Sequence, residues 1–132
     1  MTTSKPIPAS HVDLLERPII AALATTLPNG TPQVTAVWFN YEDGYVHINS
    51  AAGRLKDRAI RAKPYLALMV IDPQNSARYI QVRGPVVTIT EEGANEHINA
   101  LSHRYSGQDY TFVEGQVRVR YVIAIEHVDA HG

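Results

Sequence analysis

The densest cluster of charged side chains is residues 53–63, GRLKDRAIRAK, with five cations and one anion in a chain of net charge −1. Arg54 and Lys56 are expected where a strand gives way to a helix, beside the free N–H groups and positive dipole end that favour anions. Arginine offers planar bidentate donors and lysine a mobile point charge, which suits a phosphoryl group and a second carboxylate further along. The alternative is an ordinary solvated helix face.

Two further stretches have side chains suited to an aromatic ligand with a polar chain. Residues 33–39, QVTAVWF, hold the only tryptophan, Trp38, mid-strand. Such a strand forms a flat wall, and its backbone groups can bond the edge of a fused heteroaromatic ring. Asn49 and Ser50, just before the basic segment, would offer an amide and a hydroxyl to a ribityl-like chain. Trp38 in the core and local side-chain bonds for Asn49 and Ser50 are the alternatives.

Other motifs either leave alternatives open or exclude a class of site. Arg78 and Tyr79 lie on a later strand, as ligand contacts or as part of an exposed polar face. The six histidines form no metal-ligating motif with nearby carboxylates, so no metal site is expected. The sequence lacks GxSxG, GxGxxG and P-loop motifs, so a nucleotide-like ligand would bind in another way. No catalytic acid–base pair is identified.

Composition narrows the class of protein. The 132 residues are 45% hydrophobic and have no linker-like tract, which predicts one domain over residues 1–132. The near-neutral charge gives no indication of nucleic acid or a membrane surface as partner. The absence of cysteine excludes disulfides and thiolate sites, so redox chemistry requires a bound cofactor. No leader pattern or membrane-spanning run is seen, which predicts a soluble cytoplasmic protein.

The first half of the chain has mostly strand patterns. A short helix is expected at residues 10–16 with Ser10 as N-cap. Strands at residues 19–27 and 33–41 flank Asn-Gly turn chemistry, and a third strand follows at residues 45–50. These patterns predict a three-strand antiparallel meander.

The second half alternates helices and strands. A helix follows Gly53 and ends before Pro64. Strands are expected at residues 65–71 and 78–90, with a bulge or barrel corner at Gly84 and Pro85. Thr90 and its neighbours supply cap chemistry for a helix that ends near Gly107, and a last strand covers residues 117–128 with Val117, Val119, Tyr121, Ile123 and Ile125 on one face. This order favours an antiparallel, barrel-like sheet.

Several stretches occur in a characteristic order: PQVTAVWF, YVHINSAAGRLKDRAIRAKP, ARYIQVRGPV, HRYSGQDY and VRVRYVIAIEHV. In this order the chain resembles the pyridoxamine-phosphate-oxidase-like split-barrel superfamily and, within it, the F420-dependent oxidoreductase B group. The resemblance covers nearly the whole chain. It implies a mainly β fold, an antiparallel six-stranded split β-barrel of the FMN-binding type, and a homodimer with its cofactor in grooves at the subunit interface.

The resemblance also implies a set of cofactor contacts. Residues 35–38 would line the deazaflavin ring, Asn49 and Ser50 its side chain, Arg54 and Lys56 the phosphate, Arg58 and Arg61 the oligoglutamate tail, and Arg78 and Tyr79 the cofactor of the partner subunit. The full set of implied cofactor-binding residues is Gln33, Thr35, Ala36, Val37, Trp38, Asn49, Ser50, Gly53, Arg54, Lys56, Arg58, Arg61, Arg78 and Tyr79.

The reaction implied is hydride transfer from reduced coenzyme F420 to a small electron-poor organic acceptor. The alternatives are an FMN-dependent oxidoreductase of the same fold, a non-catalytic carrier of a flavin or of F420, and a structural dimer without a ligand. The basic helix has Arg58-Ala59-Ile60 where relatives often have Arg-Asn-Leu. The chain ends at residue 132 without the segment that holds substrate in pyridoxine-phosphate oxidases, which argues against vitamin B6 oxidation.

Overall fold

A computed structural model describes residues 3–132. Its elements follow in the order α1 (Val12–Glu16), β1 (Ala21–Thr26), β2 (Pro32–Val37), β3 (Asn40–Glu42), β4 (Tyr45–Ala51), α2 (Leu55–Ala62), β5 (Tyr65–Ile71), β6 (Tyr79–Thr90), α3 (Ala94–Ser106), β7 (Arg118–Ala124) and β8 (His127–His131). The eight strands form one curled sheet in the order β2-β1-β5-β6-β7-β4-β3, with β8 paired to β6. Every pairing is antiparallel, which confirms the mainly β split-barrel fold.

The structure has eight strands where the sequence predicts six, because two predicted strands are each divided. The run at residues 33–41 breaks after Val37, and the segment from Asn40 pairs with β4 instead of β1. The last run breaks between β7 and β8, which pair with successive parts of β6. The predicted three-strand antiparallel meander is confirmed, with its middle strand divided: β2 pairs with β1 and β3 pairs with β4, which pairs on its other side with β7.

Trp38 and Phe39 connect the two ends of the sheet. β2 and β3 stand at opposite ends of the strand order, so the chain crosses from one edge to the other at these two residues. We call this crossing the seam. Helix α3 fastens it: the Tyr105 hydroxyl accepts the Phe39 N–H at 3.3 Å and donates to the Ile19 carbonyl at 2.8 Å, and Arg104 Nε donates to the Phe39 carbonyl at 3.2 Å.

Gly84 forms the corner at which β6 changes partners. Before it, β6 pairs with β5 and β8; beyond it, β6 pairs with β7, with a register shift between Val86 and Thr88. A Cβ at residue 84 would lie 1.8 Å from the carbonyl oxygen of Ala124. Only glycine permits this approach, and the predicted barrel corner is confirmed.

The helices follow the predicted order, but two of the predicted caps are wrong. Helix α1 begins after His11, and Ser10 hydrogen-bonds the His11 ring instead of capping the helix. The Thr90 hydroxyl accepts the Glu92 N–H, which forms a turn ahead of α3, whose N-cap is Gly93. Helix α3 ends at Gly107, as expected, with left-handed backbone (φ 73°).

The core lies inside the curled sheet. On the last strand Val119, Tyr121, Ile123 and Ile125 are fully buried, which confirms the predicted apolar face, whereas Val117 precedes β7 and is 45% exposed. Across residues 3–132, no helix has the length and apolar character needed to cross a membrane. The prediction of one domain over residues 1–132 includes Met1 and Thr2, which lie outside the described residues, and it stays a prediction.

We expect Gly84→Ala to destabilise the protein, because the added methyl overlaps the backbone carbonyl of Ala124, which lies on β7 and is paired with Tyr45 of β4. Overpacking of this kind costs about 3 kcal/mol. Gly115→Ala is the matched control: Gly115 has φ 81° but no heavy atom within 4 Å of the added methyl, so only a left-handed backbone cost of about 1 kcal/mol is expected. Urea unfolding measures both; equal losses would refute the steric account.

Candidate functional site

A groove of about 390 Å³ lies between the seam, the start of α2 and helix α3. Its lining joins three segments that the sequence analysis singled out separately: the end of β2, strand β4 and the basic segment. We call it the basic groove. Its lining residues are Ile20, Ala36, Val37, Trp38, Asn49, Arg54, Lys56, Ile98, Leu101, Tyr110 and Arg118.

One end of the basic groove is positively charged. Arg54 is the N-cap of α2 and Lys56 lies in its first turn, so both side chains join the positive end of the helix dipole. Arg118 reaches the same place from β7. Burial, and then the nearby Arg54 and Arg118, lower the pKa of Lys56. Within residues 3–132 none of the three forms an ion pair, so the groove favours an anion.

Asp57 holds the start of α2 in place beneath these cations. Its carboxylate accepts the Gly53 N–H at 2.9 Å, the Tyr121 hydroxyl at 2.6 Å and Arg61 Nε at 3.0 Å. Burial opposes ionisation, but the three hydrogen bonds outweigh it and lower the pKa of Asp57. The left-handed Gly53 (φ 86°) lets the chain turn into this arrangement.

The other end of the basic groove is aromatic and apolar. Trp38 is half-buried and stacks on Tyr105, with ring centroids 5.5 Å apart and planes 9° from parallel. Its neighbour Phe39 is fully buried and takes the core position. Ile98 and Leu101 of α3 complete this side of the groove. Such a surface suits a flat ring system.

Asn49 lies between the two ends and belongs to a chain of hydrogen bonds. Its Nδ2 donates to the Ala94 carbonyl at 2.9 Å and approaches His97 Nδ1 at 3.1 Å, while its Oδ1 accepts Arg118 Nε at 2.9 Å. His97 Nε2 contacts Asn40 Oδ1 at 2.8 Å. These partners fit a neutral imidazole that donates from Nε2 to Asn40 and accepts at Nδ1 from Asn49.

Other predicted contacts lie outside the basic groove. Ser50 is 2% exposed and its hydroxyl has no hydrogen-bond partner in the part of the chain that the structure describes. Because strand residues alternate between faces, its side chain lies opposite that of Asn49. Thr35 lines a second groove. Arg58 is exposed on α2, and Gln33 accepts a bond from Thr25 at 3.4 Å.

Arg78 and Tyr79 are engaged at the other side of the sheet. The Arg78 guanidinium pairs with Asp13 and with Asp72 and thereby ties α1 to the β5–β6 turn. Tyr79 stacks on His131, with centroids 4.6 Å apart. Their contact with a partner's cofactor stays a prediction, as do the individual cofactor roles of the other site residues.

Arg118, Tyr110 and the α3 residues of the groove were not predicted from the sequence. The indication of Arg118 in the sequence was the stretch VRVRY, in which apolar residues alternate with arginines. One face of this strand belongs to the core, and the other face carries arginine twice. For Tyr110 and α3 the only signal was the HRYSGQDY stretch.

The comparisons give one family and several solved structures. The family model described as pyridoxamine 5'-phosphate oxidase matches residues 7–132. A structure titled F420 Reductase is 35% identical, covers 93% of this chain and 98% of its own, and superposes with a TM-score of 0.85. A conserved hypothetical protein from Mycobacterium tuberculosis is 21% identical (98% and 89% covered, TM-score 0.77). HupZ from Group A Streptococcus is 17% identical (95% and 94%, TM-score 0.71). The comparison with curated proteins finds no match.

We expect His97 to make stability depend on pH. Burial, and then the nearby His47, Arg120 and Arg118, lower the pKa of His97 from 6.5 to about 4. Between these values the unfolded chain binds more protons than the folded one. Stability is therefore complete above pH 6.5 and falls by up to roughly 3 kcal/mol toward pH 4.

Urea titrations from pH 7.5 to 4.5 measure this slope. His97→Gln, which cannot take up the proton, should flatten the slope between pH 6.5 and 4.5. A slope that is the same in both proteins would show that another group causes it.

Proposed function

The chain belongs to the pyridoxamine 5'-phosphate oxidase family, and on this basis we propose that it is an oxidoreductase that binds a flavin-type cofactor, coenzyme F420, in the basic groove. The main support is that one groove combines an aromatic wall at Trp38 with two cations, Arg54 and Lys56, that form no ion pair within residues 3–132. A structure titled F420 Reductase, 35% identical over 93% of this chain, supports F420 over FMN. The substrate is a small electron-poor organic acceptor.

The residues of the groove fit such a cofactor by their chemistry. Arg54 and Lys56 would hold the phosphate, because they form no ion pair in the described part of the chain and stand at a helix N-terminus. Trp38 and the exposed residue Ala36 would receive the ring. Asn49 lies on the lining between them.

When bound, reduced F420 supplies the hydride for the acceptor. The protein supplies position and surroundings. The stacked Trp38 and Tyr105, with Ile98 and Leu101, give a rigid apolar surface that orients the ring and excludes water from one side. The residues that line the basic groove include no carboxylate and no histidine, and we assign no catalytic acid or base.

We also propose a homodimer, formed through the outer face of β2, β1 and β5. This face has a second groove of about 340 Å³ with mostly apolar lining. Ile20, Val34 and Ile71 are 50%, 67% and 42% exposed there, an apolar surface that favours a protein contact. Ile20 and Ala36 line both grooves, so a partner on this face would border the cofactor. The proposal also includes a single domain over residues 1–132 and a cytoplasmic location for the protein.

Titration of the purified protein with F420 and with FMN tests the cofactor. We expect F420 to bind more tightly, and Lys56→Ala to weaken it by roughly 10-fold to 100-fold, because a charge-assisted hydrogen bond is lost. Lys63→Ala, at the exposed end of the same helix, should change affinity by no more than about twofold.

Tighter binding of FMN would indicate the FMN-dependent alternative. Bound reduced F420 that no acceptor in a broad panel reoxidises would indicate a carrier. Failure of both cofactors to bind would refute the proposed function.

For the dimer, we expect Val34→Asp to give monomers, because it places a charge in an apolar interface. Sedimentation velocity measures the mass. Val113→Asp, at a residue 58% exposed in the loop before β7, should remain dimeric. A monomeric wild-type protein would refute the proposal, as would a dimeric Val34→Asp variant.

A further inference from the structure

Arg118 is an unusual arginine because it is buried without a counter-ion. It is only 6% exposed, yet it forms no ion pair within residues 3–132. Burial lowers its pKa, and Arg54 acts in the same direction. Taking a guanidinium out of water without a paired anion costs free energy. The stability of the fold therefore does not explain why an arginine occupies this position.

Neutral groups fix the direction of the guanidinium. Nε donates to Asn49 Oδ1 at 2.9 Å, and one terminal nitrogen, Nη1, donates to the Tyr110 hydroxyl at 3.2 Å and to Gln116 Oε1 at 3.1 Å. The guanidinium also lies over the Tyr110 ring, 5.2 Å from its centroid. These contacts orient the positive charge without neutralising it.

The other terminal nitrogen, Nη2, has no hydrogen bond to the described protein. In the described chain, Ser50 Oγ is the one fully buried side-chain polar atom without a hydrogen-bond partner. Nη2, which also has no partner, is therefore not fully buried. Arg118 lines the basic groove, and within the described chain Nη2 is its one guanidinium nitrogen without a protein partner.

We propose that Arg118 is a third ligand of the anionic group bound in the basic groove, beside Arg54 and Lys56. Its neutral partners orient the guanidinium before the anion binds. The inference rests on the proposed function and deepens it. Arg54 and Lys56 are partly solvated and adjust to the ligand, whereas Arg118 is fixed before the ligand arrives. A phosphate group has enough oxygens to accept from all three cations.

Asn49 acts as a positioning residue for Arg118. Its amide can accept from Arg118 only while its Nδ2 faces the Ala94 carbonyl and His97 Nδ1. His97 is held in turn by Asn40. Since His97 has a pKa of about 4, its Nδ1 remains an acceptor at neutral pH.

Inorganic phosphate is the probe for the first experiment, with the full chain and isothermal titration calorimetry. We expect Arg118→Gln to weaken phosphate binding by roughly 10-fold to 100-fold, because a charge-assisted donor is lost. Arg118→Lys should lose roughly 10-fold, since it keeps the charge but not the planar fork. Arg120→Gln removes the same charge two residues along β7 from a side chain outside the groove lining, and should stay within about twofold. Equal affinities for Arg118→Gln and wild type would overturn the inference.

A second readout does not depend on whether the variants fold. In ¹H–¹⁵N spectra of the wild-type protein, the buried Arg118 Nε–H should give a separate resonance, assigned by sequential side-chain experiments on the wild-type protein. We expect it to shift as phosphate is added. A resonance that does not move at saturating phosphate would overturn the inference.

FMN and riboflavin, which differ only in the phosphate, separate this inference from the proposed function. If wild type prefers FMN to riboflavin and Arg118→Gln shows less of that preference, the inference is supported. An unchanged preference would overturn it and leave the proposed function intact. A protein that binds phosphate through Arg118 but binds neither FMN nor F420 would support the inference and refute the function.

Discussion

The seam at Trp38 and Phe39 is the constraint on which the rest of the structure depends. A sheet whose end strands are consecutive in the chain can curl closed only if the chain crosses between its edges at that point. Arg104 and Tyr105 fasten the crossing, and Arg104 also donates to the Arg17 carbonyl at 2.8 Å and the Glu16 carbonyl at 3.0 Å after α1. The seam thereby fixes α3 over the sheet, which completes the groove and leaves Trp38 facing it.

Two buried charged residues, Asp57 and Arg118, differ in whether the protein itself compensates their charge. Asp57 accepts hydrogen bonds from Gly53, Arg61 and Tyr121, so the negative charge is satisfied inside the protein. Arg118 receives only neutral partners, so its positive charge is not. The first arrangement anchors a helix. The second is typical of a site in which the counter-charge is part of the ligand.

The basic groove and the outer apolar face are physically connected. Both are lined by Ile20, which immediately precedes β1, and by Ala36 on the adjacent strand β2. Covering the outer face would remove water from one border of the groove and strengthen the electrostatic attraction between its cations and an anion. In the proposed dimer, assembly and ligand binding would be linked through these strands, and each would favour the other.

From local patterns of apolar residues, turns and charge, the sequence predicts the order and type of the elements, the β6 corner at Gly84 and the basic start of α2. It could not show that residues 33–41 divide between two edges, since that break is decided by pairing with β4. It also could not show that Arg118 and Tyr110 line the groove, or that Arg78 forms ion pairs with Asp13 and Asp72. Arg118 and Asn49 are 69 residues apart and Arg78 and Asp13 are 65, so only the closed sheet brings these groups together.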